Sequence, residues 1–166
     1  MENIKILLDK LSSYNIFNHL FPGISFVFLT KEISGYNLIQ DNYFVGGFLY
    51  YFIGMIVSRV GSIFIEPALK AIKFISFKDY KLFVQASKLD PKLELLSEVN
   101  NTYRTILSML ILLSCEYTYL EIKFRYNITH NTTVILATSF TTALFLFSYR
   151  KQTSFISRRI ESNINK

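Results

Sequence analysis

Residues Tyr43 to Pro67 read YFVGGFLYYFIGMIVSRVGSIFIEP, and no residue from Asn42 to Ser58 is charged. Apolar side chains continue past Arg59 to Ile65. As one helix, Tyr43 to Ile65 holds 23 residues and would be ~35 Å long at ~1.5 Å per residue. That length matches the ~30 Å hydrocarbon core of a bilayer with some tilt, so the stretch reads as a membrane-spanning helix. Gly47, Gly54, Ser58 and Gly61 recur at +7, +4 and +3 and fall on one face of it. They form a seam where another backbone can come close. Arg59 and Glu66, seven residues apart, share a neighbouring face with Ser62 between them.

Three further stretches, 11–30, 105–120 and 126–149, are almost free of charge, although 18% of the chain is charged. A soluble helical bundle would show polar residues every third or fourth position. The pattern therefore predicts an all-α fold, a polytopic membrane helical bundle of four transmembrane helices at about 11–30, 43–65, 105–121 and 132–149. A single membrane domain would occupy 1–166, with a helical cytoplasmic segment at 67–104 and a basic tail at 150–166. The span at 132–149 is the cleanest by hydropathy. The span at 11–30 is the weakest, since it carries Asn15, Asn18 and His19, and Pro22-Gly23 predicts a kink near Phe21. No A-x-A-like site follows that first run, so it is expected to stay as a span rather than be cleaved. Residues 2–14 predict a short amphipathic helix at the membrane surface. Asp90-Pro91 is a helix-start signal, and it predicts one long helix from 91 to about 121 whose first dozen residues stand in the cytoplasm.

Lysine and arginine set the expected orientation. With both termini on one side, that side holds 14 of them and the other holds 3. The positive-inside rule then puts both termini and the central segment in the cytoplasm of a multi-pass cell-membrane protein. Lys70, Lys73, Lys78 and Lys81 are interleaved with Leu69, Ile72, Phe74, Phe77 and Tyr80. Such mixing suits contact with the anionic inner leaflet or with a protein partner. The net charge of +6 is laid out by topology, which argues against nucleic acid as the partner.

The candidate site is an intramembrane polar cluster of Arg59, Glu66 and His19 in the inner half of the bundle. An arginine inside the span costs ~2.5–3.5 kcal/mol at the membrane centre and less near an edge, which pairing with Glu66 or snorkelling to the headgroups would relieve. Glu116 is expected near the outer end, with Lys123 or Arg125 as partner. The seam of Gly47, Gly54, Ser58 and Gly61 is expected to take either the chain's own fourth helix or a second copy, with a homo-oligomer favoured. Cys115 is expected to be a buried thiol. No metal site, cofactor motif or catalytic fingerprint is present, so no enzyme activity is expected.

The blocks SRVGSIFIEP (58–67) and LSEVNNTYRT (96–105) resemble recurring blocks of a family of small bacterial membrane proteins. The architecture also resembles the small multi-span subunits of bacterial anti-phage systems. That resemblance implies a membrane sensor, disruptive effector or scaffold working beside a cytosolic partner. The residues leave a second expectation open, an oligomeric channel or transporter lined by Arg59, Glu66, His19 and the threonines of the fourth span.

Overall fold

The computed structural model describes residues 13–164, which form an all-α structure with no strand among them. Helix α1 covers residues 13–34, α2 Tyr43–Ala71, α3 Tyr80–Leu89, α4 Lys92–Arg125 and α5 His130–Ile164. The expected surface helix at 2–14 lies almost wholly outside the described residues.

The helix ends follow from the local sequence. Gly35 closes α1 at φ 71°, in the left-handed region that glycine enters without a Cβ clash, and donates its N–H to Lys31 O at 2.9 Å. Asn42 opens α2, its Oδ1 accepting from the N–H groups of Phe44 and Val45 at 2.9 and 3.2 Å. Asp79 accepts from Lys81 N–H at 2.8 Å at the start of α3, and Asp90 accepts from Lys92 N–H at 3.0 Å at the start of α4. The long helix read from Asp90-Pro91 is therefore present, and it runs on to Arg125.

Two helices contain a single π turn, Ile16–Leu20 in α1 and Gly61–Ile65 in α2. Each lies just ahead of a proline, Pro22 and Pro67. Proline donates no N–H, and its ring crowds the carbonyl one turn back. The wider i→i+5 turn opens the ladder where it is already interrupted. Both helices continue past the proline, so the irregularity expected near Phe21 takes the form of a bulge rather than a break.

Three helices are long and apolar enough to cross a membrane: Tyr43–Ala71, Lys92–Arg125 and His130–Ser162. The stretch 11–30 expected as a first span is not among them, because Asn15, Asn18 and His19 dilute its apolar residues. The tail after 149 does not form a separate segment but continues α5 to Ile164.

The chain runs back and forth. Asn18 meets Thr105 and Thr30 meets Glu116, so α1 and α4 run parallel. Between α1 and α2 the order reverses, since His19 meets Gly54 and Gly23 meets Tyr50. One buried cluster lies among α1, α2 and α4: Val57, Met109 and Leu113, covered by Phe26, Leu29, Ile53 and Leu112. A second joins α2 to α5 through Val60, Ile65 and Leu144. The amphipathic α3 tucks in Val84 and Ser87 and packs on α4 and α5.

Candidate functional site

The interior at one end of the bundle is polar. Asn18 sits on the π turn of α1, which aims it between α2 and α4. Its Nδ2 donates to Ser58 Oγ at 3.4 Å, and Thr105 Oγ1 lies 2.8 Å from Asn18 Oδ1 and 3.2 Å from Ser58 Oγ. Ser108 donates to Val57 O at 2.7 Å, and Thr105 and Ser108 are both fully shielded, at 0% exposure. His19 is buried beside this network, its ring edge-on to Tyr14 and Tyr51 and next to the Asn18 amide. Asn101 Nδ2 extends the line to Tyr14 OH at 3.3 Å. Hydroxyls and amides meet each other's bonding needs here without ionised groups, as polar side chains buried between helices require.

A charged rim follows one to two turns further along α2. Arg59, Ser62, Glu66 and Lys70 recur at helical spacing on α2. The Glu66 carboxylate accepts from Lys70 Nζ at 2.7 Å and from Arg104 of α4 at 2.5 Å. From α5, Lys151 Nζ donates to Ser62 O and Ser62 Oγ at 2.6 and 2.8 Å. The charges whose fields reach Lys151 are Glu66, Arg104, Lys70 and Arg59, one acid against three further cations. Arg59 is half-buried and enters no hydrogen bond or ion pair among the described residues. Arg104 Nε is the one buried side-chain nitrogen or oxygen left without a partner among them.

The expected cluster is thus redistributed. Glu66 is bound by Lys70 and Arg104 and makes no pair with Arg59. His19 joins the neutral network, and the charge of Arg59 reaches it only through space. Of the seam residues, a Cβ on Gly54 would lie 1.8 Å from His19 O, and one on Gly61 would lie 3.2 Å from Arg104 O. Ser58 faces Asn18 and Thr105. Gly47 has nothing within 4 Å. The seam therefore receives the chain's own α1 and α4, and it does so over Gly54, Ser58 and Gly61 alone. Lys70 also stands 4.4 Å over the Phe77 ring. Lys73, Lys78 and Lys81 are exposed.

At the other end Glu116 accepts from the buried Thr30 hydroxyl at 2.9 Å, and Lys123 donates to Tyr36 OH. The expected Glu116–Lys123 pair is not formed, because each is taken by α1 or by the segment that follows it. Cys115 is exposed rather than buried. Among the described residues no group of three His, Cys, Asp or Glu could hold a metal ion.

Sequence reasoning passed over Arg104, Lys151, Thr105 and Ser108. By sequence position Arg104 closes the segment 67–104 expected in the cytoplasm, and Lys151 falls in the basic tail 150–166. The helical spacing Asn101, Thr105, Ser108 (+4, +3) is the signal that marks the polar stripe of α4 before its apolar run begins. Comparison with protein-family models, with curated proteins and with solved structures finds no match for this chain.

Proposed function

We propose that the protein is a four-span membrane subunit that acts as a sensor, effector or scaffold beside a cytosolic partner, with both termini and the α2–α4 connection in the cytoplasm. Residues 13–34 serve as the remaining span: at ~1.5 Å per residue they extend ~33 Å, antiparallel to α2 and in backbone contact with it. The observation that carries this reading is the segregation of the interior. Most of the buried polar and charged side chains gather at one end, around Asn18, Ser58, Thr105 and Glu66, and the apolar layer of Val57, Met109 and Leu113 separates that end from the Thr30–Glu116 pair. A sealed bundle with a polar, cationic inner end suits reception of a partner better than passage of solute. The π turns that shape this end are one-residue register shifts within a helix, the kind of element that two states can share. Exposed Lys73, Lys78 and Lys81 lie beside exposed Ile72, Phe74, Phe77 and Leu82, a composition suited to the anionic inner leaflet.

A second reading, transport, draws on one feature. Thr30 and Glu116 form a polar pair beyond the apolar layer, so polar compartments flank it on both sides. Reconstitution into dye-loaded and ion-loaded liposomes separates the two. The sensor or scaffold reading expects no flux and a soluble protein co-purifying from native membranes. Steady ion flux abolished by Glu116→Gln favours transport instead, and dye leakage favours a disruptive effector.

A further inference from the structure

The charge balance at the inner rim is uneven, and the membrane reading above gives the imbalance a consequence. Three cations, Lys70, Arg104 and Lys151, converge around the carboxylate of Glu66, and a fourth, Arg59, stands three residues before Ser62 on α2, where its field reaches Lys151. That carboxylate is already committed to Lys70 and Arg104. Lys151 hydrogen-bonds only the neutral oxygens of Ser62 and feels the committed Glu66 only through space, and Arg59 has neither acid nor acceptor in contact among the described residues. Cations held half out of water without an anion are unfavourable, and the cost is relieved by an acceptor of opposite charge. Arginine and lysine together suit phosphate: the guanidinium supplies a planar fork, and the ammonium a mobile point charge. Lys70, one turn beyond Glu66, is exposed toward the end of α2, the end that the four-span reading puts at the inner headgroups.

We propose that Arg59 and Lys151 bind the phosphate of one anionic phospholipid headgroup at the inner end of the bundle, wedged between α2 and α5. The proposal rests on the four-span reading and goes beyond it, because it names a stoichiometric site distinct from the diffuse lysine surface of the connection. A bound headgroup would fasten α5 to α2.

The test is native mass spectrometry of the full chain in mild detergent, with phosphatidylglycerol added and with phosphatidylcholine added. The wild type is expected to keep one phosphatidylglycerol and to exchange phosphatidylcholine freely. Arg59→Gln/Lys151→Gln is expected to weaken that retention about thirtyfold, and Lys151→Arg is expected to keep it. Lys73→Gln/Lys78→Gln/Lys81→Gln is expected to keep it too, while losing affinity for anionic vesicles. Equal retention by the wild type and the double variant overturns the proposal, as does equal thermal stabilisation of the wild type by the two lipids. The latter measurement decides the matter if the double variant does not fold. Displacement of the lipid by millimolar inorganic phosphate would assign the site to a free anion and also overturn it. A chain that stays in the supernatant without detergent would sink the membrane reading itself, an outcome distinct from a membrane-embedded chain that keeps no lipid.

Discussion

Helices α1 and α5 both lie against α2, and they are held by different means. At the α1–α2 crossing the backbones touch: Gly23 faces Tyr50 O and Gly54 faces His19 O, each so close that a Cβ would sit 1.8 Å from the carbonyl oxygen. Buried hydrogen bonds through Asn18 then tie both helices to α4. Helix α5 meets α2 through Leu144, stacked Phe52 and Phe145, and Lys151 on Ser62. Only 11% of its most apolar window is buried, against 33% for α2. Lipid tails solvate leucine as well as a protein interior does, so apolarity alone does not draw helices together in a membrane. Close backbone approach and hydrogen bonds do, and α1 has both. The contrast teaches that a helix's hydropathy and its attachment are separate properties.

The largest expected effect comes from filling that crossing. Gly54→Leu or Gly23→Leu should abolish folded protein, since backbone rather than a movable side chain blocks the space and overpacking already costs ~1–3 kcal/mol in compliant cores. Gly47→Leu should be tolerated, because nothing lies within 4 Å of it. Size-exclusion profile and thermal unfolding in mild detergent would show the difference. A well-folded Gly54→Leu protein would remove the basis for separating α1 from α5.

Next in size is Glu66→Gln, which leaves Arg104 and Lys70 facing a neutral amide. Breaking a buried pair costs ~3–5 kcal/mol, and the Lys70 side chain is 44% exposed, so the lower end, about 3 kcal/mol, is expected. The midpoint of unfolding in sodium dodecyl sulfate reports it. Arg104→Gln on top of Glu66→Gln should add less than it costs alone, the mark of one shared interaction. Additive losses would mean that α4 is held to α2 by the neutral network and not by this rim.

These positions also show where the sequence is legible. Three apolar helices, the cap at Asp90 and the seam at Gly54, Ser58 and Gly61 follow from spacing and hydropathy, because those signals are local. The partners of the seam do not, since the approach of α1 depends on a π turn that no periodicity reports. Arg59 and Glu66 share a face on an ideal helix, yet the Gly61–Ile65 π turn between them shifts that register, and Arg104 from α4 reaches the carboxylate. Gly47 fits the seam by spacing and not by contact, since α1 crosses α2 between Tyr50 and Gly54. Glu116 reads as a rim carboxylate until Thr30 of α1 is known to stand beside it. What escapes is the choice of partner, which pairwise distance in sequence does not carry.

A smaller effect is expected inside the neutral network. Thr105→Val keeps shape and removes the donor to Asn18 Oδ1. Hydrogen bonds between membrane helices average ~0.6 kcal/mol and reach ~1.7, and Thr105 is fully shielded, so about 1 kcal/mol is expected. The same unfolding assay measures it. Ser114→Ala, whose hydroxyl bonds only Leu110 O on an exposed face, should show no loss. Equal effects at the two sites would deny the network any special hold on α1.

The smallest effect tests the other side of the contrast. Leu146 and Phe147 on α5 are 66% and 54% exposed. If lipid is their surroundings, Leu146→Ala and Phe147→Ala exchange one lipid-solvated side chain for another and should move unfolding by no more than ~0.5 kcal/mol. A second copy of the chain seated on α5 would change that result. Losses above ~1 kcal/mol that shrink on dilution into excess detergent would mean that the face is covered by protein. The glycine seam gives no reason to expect such a copy, since Gly54, Ser58 and Gly61 are already occupied by α1 and α4. An unchanged Leu146→Ala protein, beside an unfolded Gly54→Leu one, would place the hold on this bundle in the crossings of α2 rather than in its most apolar helix.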